Sequence, residues 1–335
     1  MERRRDLWIV SILVAVLAGS VATVAGCSRD LPTSSGAPTI SATNEPAVGE
    51  PSPDEPRPRD PGGSTPPVHA VTFIRPEAIA SIRKLPELGI FEGGGSDGGG
   101  DAQSYYFRTT DTNREFRRGF IEFVIPRFND VFSARIVLRE WRAATAHPLP
   151  PDRHELSFYT EVDRVVDTGD YDRATTALAM FETDGNVHMQ SFDFDASELV
   201  RRLRGAGLGL RVKLEADPDY MGMGFLGTGF SGWTTPSGAV IEVTTTTIEA
   251  NAWLRSVIAR LGLQPRLEAV LQASLRRVGG ILGDRDPEND ISACDELAAF
   301  IDEVASHHHD GLLLPSQSTD LEILATNLRN AIGCR

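Results

Sequence analysis

Two neighbouring segments, GFIEFVIP (Gly119–Pro126) and FSARIVLREW (Phe132–Trp141), decide the fold. In the second, Ala134, Ile136 and Leu138 fall on one face, and Arg135, Val137 and Arg139 on the other. A strand turns successive side chains to opposite faces, so this alternation reads as β structure. In the first, the alternation runs with Phe120 or Ile121 leading. HELSFYTEV (154–162), VHMQSFDF (187–194), LGLRVKLEA (208–216) and GAVIEVTTTT (238–247) repeat the pattern. Gly, Pro and Asp clusters separate them, and GGGSDGGG (93–100) reads as a surface loop. Short alternating strands at this spacing predict an antiparallel β-sandwich over residues 70–248.

One helix interrupts the strands at DASELVRRLRGAG (195–207). Asp195 reads as its N-cap, with Glu198 three positions on completing a capping box. Leu199, Val200 and Leu203 form its apolar face, and Gly205 or Gly207 ends it.

After Thr247 the period changes to that of a helix. Four apolar stripes follow. The first is Trp253, Leu254, Val257, Ile258 and Leu261. The second, opened by Pro265, is Leu267, Val270, Leu271, Ser274, Leu275 and Val278. The third is Cys294, Leu297, Ala298, Ile301 and Val304. The last is Leu321, Leu324, Leu328 and Ile332. Thr319 and Glu322 are spaced as a capping box for the last helix. The four helices predict a small bundle over residues 249–335.

The chain begins differently. Arg3, Arg4 and Arg5 precede an uncharged apolar run from Leu7 to Val24, which has the form of an export signal. The run is also long enough, at about 20 residues, to span a bilayer as an uncleaved anchor. It closes on Val24-Ala25-Gly26-Cys27, which resembles a bacterial lipobox. That resemblance implies cleavage before Cys27 and acylation of its thiol. Acyl chains contribute about 0.8 kcal/mol per buried CH₂, enough together to hold the chain on a membrane. The following segment, including GEPSPDEPRPRDPGGSTPP, has few bulky apolar residues and reads as a disordered, extended tether.

Two further resemblances concern the folded part. RGFIEFVIP, FSARIVLREW, DFDASELVRRL and LGLRVKLE together resemble the carbohydrate-binding-module-like jelly-roll sandwich of bacterial exported proteins. Cys294-x-x-Leu297-x-x-Phe300-Ile301-x-x-Val304, with the helices around it, is similar to the helical domain called FIMAH. The first implies a jelly-roll fold that binds glycans or protein surfaces or acts as a spacer. The second brings no catalytic residues.

The fold class expected is therefore a multidomain β + α chain. A signal peptide (1–26) and a lipid-anchored linker (27–69) precede a jelly-roll-like β-sandwich (70–248) and a small helical bundle (249–335). The net charge of −14 excludes a nucleic-acid partner, because a phosphate backbone needs a basic face. No Walker loop, HExxH or CxxC motif occurs. The function expected is that of a non-enzymatic lipoprotein at the cell or outer membrane, without cofactor or metal. Its partners are the lipid membrane, through acylated Cys27, and an extracellular glycan or protein ligand. Trp233 and Trp141 are the candidate stacking rings for such a ligand, the alternative being that they pack internally. With Cys27 given to lipid, Cys294 and Cys334 remain as a disulfide pair in an exported chain, or as two buried thiols. His307, His308 and His309 are adjacent, so on a helix they point about 100° apart and do not converge on one metal. The competing reading is an exported polysaccharide hydrolase or lyase using Asp193, Asp195 or His188.

Overall fold

The computed structural model describes residues 68–93, 101–110, 113–141, 152–183, 190–215, 225–231, 238–284 and 291–334. Residues 1–67, which hold the expected signal peptide, Cys27 and most of the expected linker, lie outside these residues, as do residues 94–100, His188 and Trp233. The described residues carry twelve strands and five α-helices, with no helix long and apolar enough to cross a membrane.

The strands are β1 (His69–Ile74), β2 (Ala78–Leu85), β3 (Ile90–Gly93), β4 (Asp101–Thr110), β5 (Asn113–Val124) and β6 (Ser133–Trp141), then β7 (Asp152–Tyr159), β8 (Thr176–Thr183), β9 (Ser191–Asp195), β10 (Gly207–Leu214), β11 (Phe225–Ser231) and β12 (Val240–Thr246). All pairings are antiparallel. One sheet runs β1-β12-β6-β9. The other runs β3-β2-β5-β10-β7-β8. A strand has two edges, and β2 occupies one edge of β5 from Phe116 to Glu122. The other edge is shared. Its first half pairs with β4 and its second half with β10. β4 then pairs with β11, which reaches the end of β6 through Gly229–Trp141 and Phe230–Glu140, so this ribbon connects the two sheets.

On β6 Ala134, Ile136 and Leu138 are buried and Arg135 is exposed, as the alternation predicts, but Val137 on the outward face is buried as well. On β5 both faces are covered. Ile121 and Phe123 face the main core. Phe120 joins a second cluster with Ala78, Ala80, Ile82, Tyr159, Val166 and Tyr171. That cluster forms where the segment between β7 and β8 folds back over the sheet. Gly207 and Gly209 permit the approach. A Cβ on Gly209 would stand 2.0 Å from Tyr159 Cζ, and one on Gly207 would stand 2.4 Å from Val162 Cβ.

The helices are α1 (Ser197–Arg202), α2 (Thr247–Arg260), α3 (Pro265–Gly283), α4 (Ser292–His309) and α5 (Pro315–Ile332). α1 buries Leu199 and Val200, with Leu203 behind them, and the chain leaves through Gly205 at φ +72°. Asp195 is not its N-cap. It ends β9, and its carboxylate accepts from the Ser197 amide at 3.0 Å and the Ser197 hydroxyl at 2.6 Å. The helix therefore starts one residue later than the capping pattern predicts, with Ala196 as N-cap and Glu198 reaching Arg201 instead. α5 likewise starts at Pro315, ahead of Thr319. Gln317 Oε1 accepts from Leu314 N at 2.9 Å, and Ser318 donates to Glu322 within the helix.

No linker separates sheet from helices. Thr246 ends β12 and is also the N-cap of α2, its hydroxyl accepting from Glu249 N at 3.3 Å. The Glu249 carboxylate accepts from the Asn129 and Asp130 amides and the Thr245 hydroxyl. Burial pushes this carboxyl up, but those hydrogen bonds outweigh it and hold it below the ordinary glutamate range. One apolar core runs from Ile74, Ile241 and Val243 of the sheet through Trp253 and Leu254 to Leu271, Phe300 and Leu328 of the helices. All the described residues belong to one compact unit.

Candidate functional site

The residues that invite a catalytic reading, Asp193 and Asp195, stand on the outer face of the β1-β12-β6-β9 sheet. They line an open depression of about 480 Å³ with Ser133, Arg135, Phe194, Ser197, Glu242 and Thr244. Register brings them together. Arg135 faces Glu242 across one edge of β6 and Asp195 across the other, while Val137 faces Asp193. Arg135 Nε donates to Glu242 Oε2 at 2.8 Å and Nη1 to Asp193 Oδ2 at 3.0 Å. The Glu242 carboxylate holds the Arg135 guanidinium above its ordinary range. Asp195, hydrogen-bonded by Ser197, lies below the ordinary aspartate range. A general acid needs a carboxyl raised toward neutral pH. On this face the carboxylates are instead tied to a guanidinium and a hydroxyl.

Raised carboxyls exist elsewhere, on residues that no sequence motif marks. Glu122 of β5 accepts from Tyr159 Oη at 2.9 Å and from Arg164 N at 2.8 Å. Burial pushes its carboxyl up, while those two donors oppose the shift. Asp170 lies in the covering segment, a 3₁₀ turn over Thr168–Asp170. It accepts from Asp167 N at 2.9 Å and pairs with Arg173 at 2.7 Å. Burial pushes it up as well. Perturbed acids often mark active sites. These are only 0% and 1% exposed, so no substrate reaches them. Apart from Tyr159, which ends β7, their partners belong to the segment that covers them. Glu122 acts as a pin: it satisfies a buried hydroxyl and the amide of Arg164, a non-glycine residue held at φ +69°. A glutamate set among Phe120, Ile121 and Phe123 was the available signal, since a charge inside an apolar strand is buried only with partners.

The other predicted residues are placed as follows. Trp141 ends β6 with its backbone opposite Gly229. Trp233, His188 and Cys27 lie outside the described residues. Cys294 on α4 and Cys334 after α5 are at bonding distance, with Cα atoms 5.6 Å apart. His307 lies 3.8 Å from Glu303, and His308 Nδ1 is 3.3 Å from Leu313 O. Among the described residues no group of three or more His, Cys, Asp or Glu side chains could hold a metal ion.

No family model matches the chain, and no curated protein is significantly similar to it.

Proposed function

We propose that this chain is a membrane-tethered, non-enzymatic exported lipoprotein. Its folded part is a jelly-roll-like sandwich with a FIMAH-like helical bundle, presented for adhesion or for binding a glycan or protein ligand. Acylated Cys27 anchors it at the cell or outer membrane, and the Pro-rich segment ahead of β1 holds the folded part away from the lipid.

The observation that carries the non-enzymatic reading is the pairing on the open sheet face. Asp193 is engaged by Arg135, and Asp195 by Ser197, so both carboxylates already have partners. The raised acids, Glu122 and Asp170, are sealed from solvent. The single compact unit suits presentation, because a rigid body on a long tether samples a volume above the membrane without changing shape.

Incubating the purified protein with a panel of polysaccharides, and following reducing-end release alongside binding, tests the reading. Binding without turnover is expected. Turnover that disappears in Asp193→Ala would establish the hydrolase or lyase alternative instead.

A further inference from the structure

The outer face of the second sheet carries a concentration of cations. Outward positions on β2, β5 and β10 hold Lys84, Arg118, Arg211 and Lys213, in a chain whose net charge is −14. Ile82 of β2 pairs with Arg118 of β5, and Phe120 of β5 pairs with Arg211 of β10. One step beyond the last paired positions, Val212 and Gly119, stand Lys213 and Arg118. Like charges placed opposite each other across strands are destabilising.

Arg118 is held rigid. Its guanidinium lies 4.1 Å from the centre of the Tyr171 ring, and Nη1 donates to the Tyr171 carbonyl. Lys84 Nζ stands 5.4 Å from the Phe91 ring and 5.8 Å from the Tyr171 ring. Among the described residues it has no carboxylate partner. Arg211 is 8% exposed. It donates to Arg173 O at 3.0 Å and to Thr175 Oγ1 at 2.6 Å, while its Nε has no hydrogen-bond partner among the described residues. The carboxylates beside these cations are Asp172, 3.1 Å from Arg118, and Glu155, 3.0 Å from Lys213 and 3.8 Å from Arg211. Asp172 is 67% exposed, a weak and easily displaced partner. Arg118 and Lys213 open on a depression of about 220 Å³ shared with Arg117, Tyr171 and Glu215. Glu215 is held by Arg153 at 3.0 Å, and Arg117 by Glu115 at 2.8 Å.

We propose that this depression binds a tetrahedral oxyanion, a sulfate or phosphate group, through the Arg118 guanidinium and the Lys213 ammonium, with Lys84 supplying further positive field. A guanidinium fork matches two oxygens of such a group, and an ammonium serves a third. Burial, and after it the charge of Arg118, holds the Arg211 guanidinium below its ordinary range, a repulsion that a bound anion relieves. The site is distinct from the Arg135 face, where carboxylates outnumber the cation and an anion is disfavoured.

Calorimetric titration of the full-length protein in neutral detergent tests the proposal with four probes: inorganic sulfate, inorganic phosphate, a sulfated hexasaccharide and dibutyryl phosphatidic acid. Saturable binding of at least one is expected, weakening as salt rises. The two organic probes distinguish a glycan source from a lipid headgroup. Arg118→Gln and Lys213→Gln each weaken binding about tenfold, as expected for one lost charge-assisted hydrogen bond. Lys84→Gln, which removes no hydrogen bond of the fold, weakens it less but measurably, so the test survives any folding defect in Arg118→Gln. Arg135→Gln leaves it unchanged. No binding of any probe, or binding indifferent to Lys84→Gln and Lys213→Gln, overturns the proposal.

Discussion

The indole Nε1 of Trp253 donates to the backbone carbonyl of Phe73 at 3.0 Å, joining the first helix of the bundle to the first strand of the sheet. Beside it, Arg75 Nε donates to Asp320 Oδ2 at 2.6 Å and a second guanidinium nitrogen meets Asp320 Oδ1, a two-pronged bond from strand to last helix. The sheet and the helices therefore share hydrogen bonds as well as a core. Trp253→Ala is expected to cost about 3–5 kcal/mol, the usual range for deleting a buried aromatic side chain. Scanning calorimetry should show a single endotherm in the parent and the variant. Two resolved endotherms in the parent would mean that sheet and bundle unfold independently.

The Glu122 pin gives stability a definite pH dependence. A carboxyl raised in the folded chain binds its proton more tightly there than in the unfolded chain. Its contribution is fully present below the ordinary glutamate value and is lost as pH rises through the raised folded value. Asp170 acts in the same direction. Glu249 and Asp195 are lowered, so their contributions are present above the ordinary carboxylate values and are lost as pH falls through the lowered folded ones. Urea denaturation across a pH series should therefore show a loss of stability on the alkaline side of the ordinary glutamate value that shrinks in Glu122→Gln. An identical pH profile in that variant would refute the assignment.

Gly209 lets the Tyr159 ring lie against the sheet, and Tyr159 in turn reaches Glu122. Gly209→Ala is expected to destabilise the protein by about 1–3 kcal/mol through overpacking. Hydrogen exchange should show amides of residues 160–173 losing protection while α3 keeps its own. Unchanged protection in the covering segment would show that the close approach is not what holds it.

A bond between Cys294 and Cys334, 40 residues apart, ties α4 to the end of α5. The chain-entropy estimate for such a loop is about 4 kcal/mol. Because α5 also packs on β1 through Arg75 and Asp320, reduction should lower the melting temperature of the whole unit, by roughly 10 °C. Thiol counting on the unfolded, unreduced protein supplies the check. Free thiols at both positions, or a melting temperature unmoved by reductant, would contradict it.

Much of this was legible in the sequence. The strand periodicity of residues 119–141, the four helical stripes and the proximity of Cys294 to Cys334 follow from residue spacing and cysteine count. Glu122 was not legible as a buried pin. Its partners, Tyr159 and the Arg164 amide, arrive from far along the chain, and alternation alone cannot say that both faces of a strand are covered. The start of α5 was displaced because Thr319 and Glu322 repeat the spacing of a capping box inside a helix. Pro315, four residues earlier, was the better marker, since proline at the first helical position loses no hydrogen bond. Asp195 was misplaced for a related reason. An aspartate that bonds the amide two residues on forms a local turn, and its sequence signature overlaps that of a cap.

The central claim, a folded unit carried on a lipid anchor, rests on Cys27. Metabolic labelling of the protein with an alkyne fatty acid in a bacterial host, for the parent chain and for Cys27→Ala, tests it most directly. The account predicts strong labelling of the parent, with the modified N-terminal residue found at position 27 by mass spectrometry, and none in the variant. Equal labelling of both chains, or an unmodified Cys27 in the mature protein, would contradict it.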